Sequence, residues 1–149
     1  MADEPVAQVR AAMQRHLVHA ILDNDHVARA HGLQVTDLQT LHLMVLRDDV
    51  RTPRQISTTT GMPASSVTKL VDRLEAAGYI KRTPDPTDRR RTLLELVPGA
   101  IEPLRTFYVR ADQAFDGLSK KFSASELEVV ARYLDAVSDL YAQDGSLRN

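Results

Sequence analysis

The chain has 149 residues, 43% of them hydrophobic and 26% charged, so it is long enough for one globular domain with a buried core. The absence of cysteine from the sequence excludes disulfides, thiolate metal sites and thiol-based redox sensing. No apolar run approaches the roughly 18 residues that span a bilayer, and the N-terminal region lacks the apolar stretch of a signal peptide. We therefore expect a cytoplasmic protein.

The first two predicted elements are helices. Apolar residues recur at helical spacing over residues 6–31, and Gly32 ends that pattern. Thr36 and Gln39 have the spacing of a capping box, in which each side chain accepts a hydrogen bond from the backbone N–H of the other residue. We therefore predict that the second helix begins at Thr36.

A short third helix and an amphipathic fourth helix follow. Thr52 and Gln55 repeat the capping-box spacing, and Gly61 is expected to end the third helix. The fourth helix is predicted over residues 63–77. Its apolar stripe consists of Val67, Leu70, Val71 and Leu74. At about 100° per residue, hydroxyl and basic side chains fall on the other side of this helix.

A basic loop separates two short predicted strands, residues 79–82 and 92–96. The loop, residues 83–91, contains two prolines and two aspartates, which favour turns, and it ends in three consecutive arginines. Three adjacent guanidinium groups have no use in a hydrophobic core, but they suit a surface lined by phosphates. The pattern predicts a β-hairpin wing after the fourth helix.

Charge is unevenly distributed along the chain. Residues 51–91 contain nine basic and four acidic residues, a net charge of +5, whereas the remainder carries −6 and the whole chain −1. A basic segment within an acidic remainder is the electrostatic pattern of a local nucleic-acid site. The alternative is a chance clustering of solvated charges, and the placement of these cations on one motif favours the nucleic-acid site.

Two long helices are predicted after Pro98 and Gly99 break the second strand. The first has one apolar stripe. Ser123 and Glu126 have the capping-box spacing and open the second, whose apolar surface extends over two neighbouring faces. Such a wide surface exceeds what one intramolecular contact needs, so we expect a partner helix against it.

The third and fourth helices, with Gly61 in the turn between them, form a predicted helix-turn-helix. The second helix of this motif enters the DNA major groove, where hydroxyls and cations reach phosphates or base edges. Arginines of the wing suit the adjacent backbone or a narrow minor groove, and a neighbouring aspartate is suited to orient a guanidinium. The predicted DNA-binding residues are Ser65, Ser66, Thr68, Lys69, Arg73, Asp88, Arg89 and Arg90.

Together these motifs resemble the MarR family of winged helix-turn-helix transcription regulators. The resemblance covers nearly the whole chain, and the combination of the wing motif with a Ser/Thr-rich recognition helix is specific. Four segments match in the same order: 61–75, 78–80, 85–90 and 96–99. Two positions depart from the family pattern, because Pro63 stands where Ser is common and Val97 where Thr is frequent.

The resemblance implies a mainly α fold with a small β-hairpin wing, in which helices at both ends of the chain mediate dimerisation. Within a single chain, 1–149, it implies that residues 36–97 form the winged helix-turn-helix and that residues 6–31 and 99–143 form the dimerisation part. The protein would be a homodimer whose two recognition helices read a pseudo-palindromic operator in double-stranded DNA.

The resemblance also implies an effector pocket between the dimerisation helices and the winged element. Binding there would change the spacing of the recognition helices and release a repressor from its operator. Arg15, His16 and His19 are candidate residues for binding a small anionic or aromatic effector. His16, His19 and His26 share one helix face, so a metal- or pH-responsive regulator is an alternative. We favour a solvated polar face, and we predict no metal site and no cofactor.

Two other functional classes fit the sequence less well than a regulator does. A winged-helix protein-interaction module without DNA affinity would present an apolar or mixed face on the fourth helix, which here is hydroxyl-rich and basic. For an enzyme we expect a Gly-rich phosphate loop, a nucleophile elbow or a His-Glu-x-x-His motif, and the sequence has none of them. We therefore predict that the protein is not an enzyme.

Overall fold

The computed structural model of the chain describes residues 4–143, with side chains described up to Leu140. It is mainly helical with one two-stranded antiparallel sheet, which confirms the predicted fold class. The elements are α1 (Glu4–Ala30), α2 (Val35–Leu46), α3 (Pro53–Thr60), α4 (Ala64–Ala76), β1 (Ile80–Pro84), β2 (Thr92–Leu96), α5 (Pro98–Ser119) and α6 (Ala124–Gln143). None of the described helices combines the length and the apolar character that a membrane span requires.

The chain divides into two compact units, one that ends at Ile101 and one that begins at Glu102. The first unit contains the helix-turn-helix and the hairpin around a core that α2, α3, α4 and both strands supply. The fully buried side chains of this core include Leu38, Leu41, Met44, Ile56, Val67, Leu70, Val71, Leu74, Ile80 and Leu94. The predicted apolar stripe of α4 is thus confirmed, and each such side chain stabilises the fold by about 1.5–3 kcal/mol relative to exposure.

The start of α2 differs from the sequence prediction. The helix begins at Val35, and the backbone N–H of Gln34 donates to Asp37 Oδ2 at 3.1 Å. Thr36 lies inside the first turn, where its carbonyl accepts a hydrogen bond from Thr40 Oγ1 at 2.8 Å. The prediction that the cap is Thr36 was therefore wrong by two residues. Gln34 and Asp37 have the same spacing as Thr36 and Gln39, and an acidic residue in the first turn also favours the observed start.

The start and end of α3 are as predicted. Thr52 Oγ1 accepts a hydrogen bond from Gln55 N at 3.2 Å, Pro53 occupies the first turn, and Gly61 has a left-handed φ of 73°. The Gln55 side chain accepts from the backbone N–H of Arg51 at 2.8 Å instead of closing a reciprocal box with Thr52. A left-handed backbone conformation carries little steric cost for glycine, so Gly61 allows the sharp turn into α4.

The β1–β2 hairpin forms the wing, and it contacts α4 and the segment before α3. Its register pairs Ile80 with Leu96 and Pro84 with Thr92. The segment before α3 adds to the sheet edge, because the backbone N–H of Leu94 donates to the carbonyl of Arg51 at 2.7 Å. This bond fixes the start of α3 beside the returning strand of the wing.

The second unit consists of most of α5 together with α6. Helix α5 begins at Pro98, so Pro103 lies in its second turn. The predicted cap of α6 is confirmed, because Ser123 N donates to Glu126 Oε2 at 2.7 Å and Glu126 N donates to Ser123 Oγ at 3.3 Å. The backbone N–H and the hydroxyl of Ser123 both donate to the Glu126 carboxylate, and these two bonds lower the pKa of Glu126 below its ordinary value.

Candidate nucleic-acid interface

The outward face of α4 presents the predicted hydroxyl and basic side chains to solvent. Ser65, Ser66, Thr68 and Lys69 are all exposed, whereas the opposite stripe of α4 is buried. Helix α4 packs against α2, α3 and β1, so it is supported on its apolar side and open on its polar side. A helix held in this way can enter the major groove of DNA without disturbing the core.

Thr68 differs from the two serines in its hydrogen bonding. Its Oγ1 donates to the carbonyl of Ala64 at 3.0 Å. Hydroxyls in helices often bind the carbonyl four residues earlier. The Thr68 oxygen keeps its capacity to accept hydrogen bonds, but its proton already has a partner within α4.

Arg73 has a partner within the fold. Its Nη2 lies 2.7 Å from Asp37 Oδ1, and the Asp37 side chain is only 4% exposed while that of Arg73 is 41% exposed. The pair links α4 to the first turn of α2. Arg73 was predicted to contact DNA, and the structure instead places its guanidinium against a buried carboxylate.

The wing loop is organised by Asp85, which the sequence predicts only as part of a turn. The Asp85 carboxylate accepts hydrogen bonds from the Thr87 hydroxyl at 2.7 Å and from the Thr87 backbone N–H at 2.8 Å. These bonds lower the pKa of Asp85 below its ordinary value, and the Arg91 guanidinium, 3.8 Å away, acts in the same direction. Its burial, at 6% exposure, marks it as the structural centre of the loop.

Asp88 orients a backbone group instead of a guanidinium. Its Oδ1 accepts a hydrogen bond from the backbone N–H of Arg90 at 3.0 Å, and its carbonyl accepts from Arg91 N at 2.9 Å. The prediction that Asp88 holds an arginine side chain is therefore corrected to a turn-forming role. The Arg89 and Arg90 side chains are exposed at the tip of the wing.

Arg82 and Lys81 of β1 are used to fix the hairpin. Arg82 Nη2 lies 2.6 Å from Asp72 Oδ1, and its Nη1 is paired with Glu75, so β1 is tied to α4. Lys81 Nζ lies 3.0 Å from Glu95 Oε2 on the facing strand. Both cations are therefore engaged within the fold, whereas the exposed arginines at the tip of the wing remain available to contact DNA.

The nine cations of residues 51–91 thus divide by partner. Five have ion-pair partners within the fold: Arg51, Arg73, Lys81, Arg82 and Arg91. Four have no hydrogen-bond or ion-pair partner in the part of the chain that the structure describes: Arg54, Lys69, Arg89 and Arg90. Three of the four were predicted to bind DNA, and Arg54 was missed, although its exposed position in the first turn of α3 was readable from the sequence.

The candidate effector residues lie on α1. Arg15, His16 and His19 are exposed, and so is His26 on the same helix. In residues 4–143, no group of three or more His, Asp or Glu side chains is arranged to hold a metal ion. The alternative of a metal-responsive histidine face therefore has no geometric support within the described residues.

Comparisons with known proteins agree with this architecture. The sequence profile of the MarR family matches residues 31–91, which span the helix-turn-helix and most of the wing. The HTH-type transcriptional regulator YcgE of Bacillus subtilis (strain 168) is 28% identical over 124 residues, covering 83% of this chain and 80% of that protein.

Solved structures give the same fold. A MarR family protein from Bacillus stearothermophilus superposes with a TM-score of 0.73 at 16% identity, covering 96% of this chain and 99% of that one. A mutant of S. aureus MepR bound to an oligodeoxyribonucleotide superposes with a TM-score of 0.59 at 22% identity, covering 88% of this chain and 97% of that one. From the profile match, the curated relatives and the shared winged-helix fold, we conclude that the chain belongs to the MarR family of DNA-binding transcription regulators.

Proposed function

We propose that the protein is a homodimeric, sequence-specific regulator that places α4 in the major groove and the wing against the adjacent backbone or minor groove. The observation that supports this best is the coincidence of an exposed hydroxyl face on α4 with cations that have no partner in the described fold, Lys69, Arg89 and Arg90. The MepR complex with an oligodeoxyribonucleotide, which shares this fold, adds support. We assign Ser65, Ser66, Thr68 and Lys69 to the groove and Arg89 and Arg90 to the wing contact.

Two predicted site residues take a different part in this proposal. Arg73 holds the recognition helix through Asp37, and Asp88 shapes the turn that presents Arg90. Both act by positioning the residues that touch DNA. Residues 36–97 would form the DNA-binding part, as the sequence predicts.

The apolar residues of both units favour a homodimer. Helix α1 exposes Val18, Ile21 and Leu22, each between 56% and 61% of full exposure. Helices α5 and α6 expose large side chains that include Phe115, Val129 and Leu140. Large exposed apolar side chains repeated along a helix mark a protein contact, and a second copy of the chain is the occupant that the family membership favours.

A small-molecule effector and a repressor role complete the proposal. Arg15, His16 and His19 offer a cation and two imidazoles to an anionic or aromatic compound. A ligand that binds the DNA-free arrangement more tightly would shift the population away from the operator complex. The protein-interaction alternative fits less well, because the exposed face of α4 is polar and basic.

The test is binding to duplexes from the DNA upstream of the protein's own gene, followed by fluorescence anisotropy. Arg90→Ala should weaken binding to every bound duplex by at least roughly 100-fold, since a charge-assisted hydrogen bond contributes about 1.5–3 kcal/mol and the proposed homodimer loses two. Arg105→Ala, which removes a charge paired with Glu102 on α5, is the control and should bind as the wild type does. Unchanged affinity in Arg90→Ala would remove the wing from the mechanism.

A further inference from the structure

Four cations of residues 51–91 have no partner in the described fold, and Arg54 is the one to which no DNA contact has been assigned above. It follows Pro53 in the first turn of α3, and its side chain is exposed. Two residues later, Ile56 is fully buried, so Arg54 lies on the side of α3 away from the core. Within residues 4–143, no acceptor binds its guanidinium, which leaves a full positive charge available to a partner outside the chain.

Arg54 lines an open cleft of about 700 Å³ between the start of α3 and the returning side of the wing. The opposite wall is formed by Arg91 and Thr92, and we call this space the α3–wing cleft. The bond from Leu94 N to the Arg51 carbonyl holds the two walls together. Arg91 is partly neutralised by Asp85, so Arg54 supplies the free charge of the cleft.

We propose that Arg54 is a further DNA contact, which binds a backbone phosphate at the α3–wing cleft. The proposal rests on the DNA-binding role proposed above. In a helix-turn-helix the first helix crosses the sugar–phosphate backbone while the second lies in the groove, and α3 is that first helix. Duplex DNA presents about one negative charge per 1.7 Å of axis, and a guanidinium binds phosphate oxygens through paired N–H donors. Arg54 would therefore fix the position of the protein on DNA without reading its sequence.

The test compares two arginine substitutions that remove the same charge. Arg54→Ala should weaken binding by roughly tenfold for each protomer, and so by roughly 100-fold for the proposed homodimer, on strong and weak duplexes alike. It should also make the slope of log K against log salt shallower by about 1.8, because each protomer of the proposed homodimer neutralises one phosphate fewer. Arg47→Ala is the matched control, because Arg47 lines the neighbouring cleft beside Arg54 but is bound to Asp49 at 2.6 Å.

A distinct loss of affinity in Arg54→Ala, with affinity largely retained in Arg54→Lys and Arg47→Ala, supports the phosphate contact. Equal losses in Arg54→Ala and Arg47→Ala would show a general effect of net charge and would overturn it. Failure of the proposed function looks different, since the wild-type protein itself would then bind no duplex. If the wild type binds and Arg90→Ala weakens it while Arg54→Ala does not, the Arg54 contact alone is wrong. Circular dichroism checks that the Arg54→Ala and Arg47→Ala proteins are folded.

Discussion

At the scale of single residues, charge alone does not identify a DNA contact in this protein. Arg73 and Lys69 lie four residues apart on α4, and both were predicted to bind DNA. Arg73 is bound to Asp37, which is nearly fully buried, whereas Lys69 has no partner in the described fold. Arg73 therefore helps to position α4, whereas Lys69 remains available for a base edge or a phosphate.

Arg73→Ala should lower the free energy of unfolding by about 1–3 kcal/mol, because it leaves a buried carboxylate without its cation. Loss of one partner from a fully buried pair costs about 3–5 kcal/mol, and the partial exposure of Arg73 reduces that figure. Urea unfolding followed by circular dichroism measures the change.

Lys69→Ala is the control on the same helix, and its free energy of unfolding should stay within about 0.5 kcal/mol of the wild type. Addition of Asp37→Asn to Arg73→Ala should recover part of the lost stability, since the unpaired charge is then removed. If Arg73→Ala and Lys69→Ala are equally stable, Arg73 does not hold α4 through Asp37.

At the scale of elements, the predictable features are those with local causes. The apolar stripe of α4, the caps at Thr52 and Ser123 and the turn at Gly61 each depend on residues within one or two turns. The start of α2 was misplaced because two overlapping residue pairs have the same capping-box spacing. The partner of Arg73 is 36 residues away, so neither periodicity nor spacing could reveal it. For the same reason, the folded chain is needed to show which of the nine cations of residues 51–91 have a partner within the described fold and which do not.

The stability of the wing depends on the Asp85 carboxylate, which organises its loop. The Thr87 hydroxyl and backbone N–H lower the pKa of Asp85 in the folded protein. Because the unfolded value is near 3.9, Asp85 stabilises the fold above about pH 4, and this contribution is lost as the pH falls through the lower folded value. Asp85→Asn should therefore show a smaller rise in thermal stability between about pH 3 and pH 5 than the wild type shows.

Thermal unfolding followed by circular dichroism at closely spaced pH values measures this difference. Asn keeps one side-chain oxygen that can accept from Thr87, so the fold of the loop should survive the substitution. Asp112→Asn, at an exposed position of α5, serves as the control for the loss of one carboxylate. Parallel stability curves for Asp85→Asn and the wild type would contradict a role of the ionised carboxylate in the wing.

At the scale of the whole molecule, the wide apolar surface of α6 determines the assembly that we expect. At about 100° per residue, Val130, Leu134 and Val137 lie on one side of the helix and Tyr133 and Leu140 on a neighbouring face. Val130, Tyr133, Leu134 and Leu140 are each at least 46% exposed in the single chain. Arg132 and Asp139 lie on the opposite side, which sets the two faces of α6 apart.

Leu134→Glu should therefore convert the proposed homodimer to monomers and reduce operator affinity with it. Burial of one leucine contributes about 1.5–3 kcal/mol, and an isologous dimer loses it twice, so the dimer dissociation constant should rise by at least about 100-fold. Light scattering coupled to size-exclusion chromatography measures the mass, and anisotropy measures DNA binding on the same samples. Arg132→Glu introduces a carboxylate on the polar side of α6 and should leave the dimer intact. A Leu134→Glu protein that stays dimeric would place the interface elsewhere. A folded monomer that binds the operator as tightly as the wild type would show that two linked recognition helices are not required.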